Sequence, residues 1–132
     1  MKSNILWFIA GILLAGCVTG PKELKEHNLL GVFDSNKGYV QSSEIIRDMA
    51  TYCDSGLFSV NYKSFDSLEK ATISLKNKNM DYYYMYIEVE GTSSDTSKIS
   101  VYHYMNTSVT RAMATKVEEW VTQGSRQCTQ GF

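Results

Sequence analysis

Tyr82-Tyr83-Tyr84-Met85-Tyr86-Ile87-Glu88-Val89-Glu90 and, after a polar loop, Lys98-Ile99-Ser100-Val101-Tyr102-His103-Tyr104-Met105 are the two runs whose reading decides the fold. Successive side chains of a strand point to opposite faces, so alternation of apolar and polar residues marks a strand buried on one side. In the first run Tyr83, Met85, Ile87 and Val89 alternate with Tyr82, Tyr84, Tyr86, Glu88 and Glu90. In the second, Ile99, Val101, His103 and Met105 alternate with Lys98, Ser100, Tyr102 and Tyr104. One antiparallel register sets Glu90 opposite Lys98, Tyr86 opposite Tyr102 and Tyr84 opposite Tyr104. The same register sets Val89 opposite Ile99 and Ile87 opposite Val101 on the other face. Opposite charges and paired rings across strands contribute about 0.2–1 kcal/mol each. Sliding the pair by two residues keeps the faces but loses at least one of these matches.

Upstream, Phe58, Val60 and Tyr62 alternate with Ser59, Asn61 and Lys63, and Ala71, Ile73 and Leu75 with Lys70, Thr72, Ser74 and Lys76. Asp66-Ser67 and Asn77-Lys78-Asn79 supply turns between these runs. Four consecutive alternating segments with short connections predict an antiparallel meander with one wet face. A helix capped by Ser42 or Ser43 and running to about Tyr52 precedes it. Ile45, Met49 and Tyr52, with Ile46, Ala50 and Cys53, give this helix its apolar stripe. A second helix, capped by Thr107 or Ser108 and stopped at Gly124, follows it. Its apolar side is Val109, Ala112, Met113, Val117, Trp120 and Val121, and its wet side includes Arg111, Thr115, Glu118 and Glu119. The expected fold class is α+β: a four-stranded antiparallel meander with both helices on one face, in the order α-β-β-β-β-α. Helices on one face bring Cys128 within reach of Cys53 at the first helix's end. A disulfide there closes a loop of about 75 residues, worth roughly 4 kcal/mol in the chain-entropy model; two free thiols or a catalytic cysteine are the competing readings.

Charge and length bound the function. The chain carries 13 Lys+Arg against 14 Asp+Glu in 132 residues, a balance that argues against nucleic acid, which needs clustered positive charge. At the start, Lys2 is followed by the apolar run Ile5–Ala15, too short for a permanent span of about 20 residues. It ends in Leu14-Ala15-Gly16-Cys17, which resembles the lipobox of bacterial lipoproteins. The resemblance implies acylation at Cys17, cleavage before it and a membrane anchor made by the lipid; three acyl chains hold stably where one does not. Val18 in place of Asp implies outer-membrane sorting if the source is Gram-negative, with the domain facing the periplasm. An oxidising envelope also suits a Cys53–Cys128 bridge. The resulting organisation is a signal peptide over residues 1–16, a lipidated tether and lead-in over 17–41 and one α+β domain over 42–132. Within the lead-in, Leu29–Phe33 packs on the domain, and Val32-Phe33 and Tyr39-Val40 form a small hairpin about the turn Asp34–Gly38.

The chemistry-bearing residues form no catalytic set. Ser67-Leu68-Glu69-Lys70 matches the Ser-x-x-Lys pattern of penicillin-binding proteins and serine β-lactamases, but it sits in a turn and the partner motifs are absent. His103 lies on the core-facing register, where a buried, hydrogen-bonded histidine is the readier account than a base or ligand. His27 has no Cys, Asp or second His at ligand spacing, so neither a metal site nor a cofactor is expected. A Cys53–His103 nucleophile pair needs a free thiolate, which the bridge excludes. What stands out is a tyrosine face, Tyr82, Tyr84, Tyr86, Tyr102 and Tyr104, edged by Glu88, Glu90, Lys98 and Lys76. Tyrosine is a good strand former, so a merely solvated face is one reading. The other is a contact surface, since tyrosine joins a large contact area to a polar tip. The expected function is therefore a non-enzymatic binding or assembly accessory that uses this face to hold an envelope protein. A peptidoglycan binder, or an inhibitor of an envelope hydrolase, is the alternative.

Overall fold

The computed structural model describes residues 28–80 and 82–132. The expected signal peptide, the expected lipidation site at Cys17 and the expected tether as far as residue 27 lie outside the described residues. Five strands and two helices make the domain: β1 (Leu29–Ser35), α1 (Tyr39–Cys53), β2 (Phe58–Phe65), β3 (Lys70–Asn77), β4 (Tyr83–Gly91), β5 (Ser97–His103) and α2 (Ser108–Gln123). A short 3-10 turn over Asp66–Leu68 links β2 to β3. All neighbouring strands are antiparallel, in the order β1-β5-β4-β3-β2. The sheet is thus the expected four-strand meander with one strand added at its β5 edge.

The predicted β4–β5 register is the one formed: Tyr86 pairs with Tyr102, Ile87 with Val101, Val89 with Ile99 and Glu90 with Lys98. The apolar rows Met85, Ile87 and Val89 of β4 and Ile99 and Val101 of β5 are fully buried. They pack against Ile46, Met49 and Ala50 of α1 and Met113, Val117 and Trp120 of α2 in one cluster. Burial of this kind, about 25 cal/mol per Å² of apolar surface, is the main force closing the domain.

Four local expectations are corrected. The small hairpin does not form: Val32 and Phe33 pair with Ser100 and Ile99 of β5, and Tyr39 and Val40 open α1. β1 pairs with a strand more than sixty positions away because β5 would otherwise leave its outer backbone groups unpaired. Ser42 and Ser43 are not caps; α1 starts after Gly38, and both serines are fully buried within it. The Ser42 hydroxyl lies 3.1 Å from that of Ser35 and 3.0 Å from that of Ser97, while Ser97 donates to the Lys37 carbonyl at 2.8 Å. These buried hydroxyls satisfy one another and tie the β1–α1 turn to β5. Finally, Tyr52 is 66% exposed and lies under Arg126, outside the core stripe. In α2 it is Ala114, not Ala112, that faces inward.

The ends of α2 follow the sequence. The Thr107 side chain accepts from the Thr110 amide, and Gly124 closes the helix at φ 66°, a left-handed conformation that costs glycine little. Beyond it the tail folds back over Trp120, whose indole N–H donates to the Gln127 carbonyl at 2.8 Å, and Phe132 packs on the same ring. Gly131, at φ 108°, lets the tail cross Met113, where a Cβ would collide with the sulfur. Cys128 in this tail is bonded to Cys53, the last residue of α1.

The disulfide therefore holds the tail, and with it the cover of Trp120, onto α1. Reduction, or Cys53→Ser with Cys128→Ser, is expected to lower unfolding free energy by about 4 kcal/mol. Urea unfolding followed by tryptophan emission checks this, and an unchanged midpoint would contradict it.

Candidate functional site

The residues on the face away from the helices form rows that run across the strands. At one end Asp34, Lys98, Glu90 and Lys70 stand opposite one another on β1, β5, β4 and β3. This is a ladder of alternating charge, reinforced where Lys70 Nζ lies 2.9 Å from Glu88 and 3.5 Å from Glu90. The next row holds Val32, Ser100, Glu88, Thr72 and Lys63. Glu88 is buried in spite of its place on this face, because Lys70 closes over it. The third row carries Tyr102, Tyr86, Ser74 and Asn61. The rings of Tyr86 and Tyr102 lie 6.1 Å apart.

At the far end the parity of β4 changes. Lys76 pairs with Tyr83 and Leu75 with Met85, so Tyr84 is an extra residue in β4. Such a bulge re-aims the side chains beside it. Tyr83 takes the open face, with the Lys76 ammonium 5.7 Å from its ring centroid. Tyr84 is turned toward the core, where it stacks on buried Phe58 at 4.4 Å and meets His103 edge-on at 4.2 Å. Its hydroxyl reaches 4.0 Å from the Met113 sulfur, and burial raises its pKa. The five-tyrosine face is corrected accordingly: Tyr84 leaves it and Tyr83 joins it. Tyr86 and Tyr102 are in place, and Tyr82 and Tyr104 pair with each other at 5.3 Å where β4 begins and β5 ends.

Between β2, β3 and β4 the twisted sheet forms an open cleft of about 450 Å³. Hydroxyl and amide groups of Ser59, Asn61, Thr72 and Ser74 form its floor, with Lys63, Tyr83 and Tyr86 at its sides. The cleft and the cleft-side Lys63 escaped the sequence reading, although strand alternation alone places Ser59, Asn61 and Lys63 beside the tyrosines.

The residues considered for catalysis are engaged elsewhere. Cys53 is in the disulfide. Lys70 of the Ser-x-x-Lys match is drawn to Glu88, and Ser67 sits in the 3-10 turn. His103 is fully buried; its Nδ1 accepts from the Met105 amide at 2.8 Å, and its Nε2 has no hydrogen-bond partner among the described residues. Burial lowers its pKa to about 4. Among the described residues no three His, Cys, Asp or Glu side chains are placed to hold a metal. No described helix is long and apolar enough to cross a membrane. No protein-family model matches the chain, and no curated protein matches it significantly.

A histidine held neutral in the fold makes stability depend on pH. Unfolded, His103 takes up a proton near pH 6.5; folded, it does so only near pH 4. Its contribution is therefore complete above pH 6.5 and is lost as pH falls from 6.5 to 4, by about 3 kcal/mol in all. Urea unfolding at several pH values, compared between the wild type and His103→Gln, isolates this from the carboxylates that titrate in the same range. The wild type is expected to lose more stability than the variant on acidification, and parallel profiles would refute it.

Proposed function

We propose that this chain is a lipid-anchored envelope protein with no enzymatic activity of its own, and that its open sheet face holds a protein partner. The anchor rests on the lipobox resemblance at Cys17. The binding role rests on one observation above the rest: Tyr83, Tyr86 and Tyr102 line a sheet face that no described element covers. Rings with polar tips give a partner apolar area without requiring dry surroundings. The charge ladder at one end supplies orientation, since alternating charges reward one register and penalise its neighbours. The disulfide at Cys53 and the burial of His103 exclude these two residues as a nucleophile and base, which supports binding over catalysis.

A cell-wall glycan is the second reading, favoured by the cleft floor of Ser59, Asn61, Thr72 and Ser74. Sugars match hydroxyl and amide groups and stack on tyrosine. The two readings separate cleanly in one experiment. A photo-crosslinking residue is introduced in cells in place of Tyr86 or of Tyr102, and both the protein adducts and the sacculus-bound fraction are measured. Protein adducts at both positions, weakened at least about tenfold by Tyr83→Ala on the same chain, are the expected result. Sacculus binding without protein adducts would transfer the assignment to the glycan, and neither signal would remove the function from this face.

A further inference from the structure

β1 is an edge strand: β5 lies on one side of it, and on the other no strand is found among the described residues. The direction of its backbone groups follows from two hydrogen bonds. The Tyr104 amide donates to the Tyr84 carbonyl of β4, and the His103 amide to the Asn28 carbonyl beside β1. Alternation then turns Ile99 and Val101 toward β1, so their partners Phe33 and Gly31 point back at β5. Val32 and Asp34 are left with their N–H and C=O groups directed outward. Val32 is also 49% exposed, an apolar side chain on a free edge.

Natural edges are blunted by lysine, proline, covering loops or shortness. β1 carries no lysine or proline over its seven residues. Instead α2 runs alongside it, and between them lies a cleft of about 230 Å³. Leu30, Gly31 and Phe33 form one wall, and Ala114 and Thr115 the other, with Arg111 and Glu118 of α2 also lining it. At Gly31 the strand and the helix come close: a Cβ placed there would touch that of Ala114, at 3.9 Å, so the room lies beside this point along the edge. A sheet edge beside a helix, with room for a side chain between them, is the arrangement in which an extended peptide adds as a further strand.

From this we infer that the β1 edge binds an extended peptide of defined chemistry, added antiparallel beneath the flank of α2. The charge ladder specifies one position. It reads Lys70, Glu90, Lys98, Asp34 from β3 to β1, and a further strand continues the alternation with a cation opposite Asp34. The cleft specifies another, a large apolar side chain opposite Gly31 on the helix side. Asp34 and Gly31 are on opposite faces, as are residues three apart in a strand. Antiparallel addition therefore calls for a Lys or Arg followed three positions later by a large apolar residue. The surface is distinct from the tyrosine rows, and the inference does not rest on those rows binding anything.

The test uses the full chain, isotope-labelled and purified from membranes in detergent, titrated with acetyl-Thr-Lys-Thr-Val-Leu-Thr-Thr-amide. Saturable amide shifts centred on Leu30–Asp34 are expected. Val32→Pro removes an outward N–H and no β1–β5 hydrogen bond, and is expected to weaken binding about tenfold. Replacing the peptide's Lys by Glu is expected to weaken binding about fivefold, and Asp34→Lys to reverse that preference. This charge exchange keeps the test decisive if Val32→Pro does not fold. The inference is overturned by absence of saturation at millimolar peptide, by equal affinity for the Lys and Glu peptides, or by shifts centred on Tyr86 and Tyr102. It is overturned equally if the β1 shifts appear without peptide and grow with protein concentration, since the occupant is then a second copy of the chain.

Discussion

Ile87 and Val101 face each other across the two strands at the middle of the sheet, and neither has any exposed surface. Every other placement in the domain depends on that pair being on the dry side. A strand slipped by one residue would send its whole apolar set to water, and both helices would then lose the surface on which Ile46 and Val117 rest. The register is held from both faces at once. Val89 against Ile99 locks it beneath the helices, and Glu90 against Lys98 locks it in solvent. Because the pairs on both faces agree, this part of the fold was legible in the sequence from Tyr86–Tyr102 to Glu90–Lys98, whereas the expected meeting of Tyr84 with Tyr104 gives way to Tyr82 with Tyr104.

Legibility failed where a single inserted residue changed parity. Tyr82, Tyr83 and Tyr84 are identical side chains, so alternation across them carries no information about which of the three faces inward. The bulge at Tyr84 settles it through packing: Phe58 and His103 leave a space that a ring fills from the core side, and Tyr84 fills it. The consequence for the candidate site is a shift of one residue, with Tyr83 on the open face beside Lys76 and Tyr84 withdrawn under the helices. Tyr86 and Tyr102, past the bulge, were placed by the same alternation that placed Ile87.

The β1 strand failed for a different reason. Its seven residues include Gly31 and lack a clean period of two, and Leu30 is itself an extra residue in the pairing with β5. Short-range signals at Asp34–Gly38 suggested a hairpin, whereas the strand's partner is set by a long-range need, the open edge of β5. Ser42 and Ser43 show the same competition within α1. Their residue type favours a helix start, yet one turn inside the helix Ser42 meets the hydroxyls of Ser35 and Ser97, and Ser43 that of Tyr62. Local chemistry is a sound guide until a distant partner offers the same polar atoms a better arrangement.

The two exposed surfaces share the sheet that carries them. The charge ladder runs from Lys70 to Asp34 and ends at the free edge, so its last member has a neighbour on only one side. The tyrosine row, one register step past Val32, runs the same way and ends near Leu29, itself half exposed. A strand added at β1 would extend both rows by one position and thereby widen the open face. Any partner that spans the tyrosines would then meet, at its margin, the side chains of whatever occupies the edge. An occupant of the proposed edge site would thus alter the area beside the tyrosines without any movement of the core, because the two surfaces are joined by paired strands of one sheet.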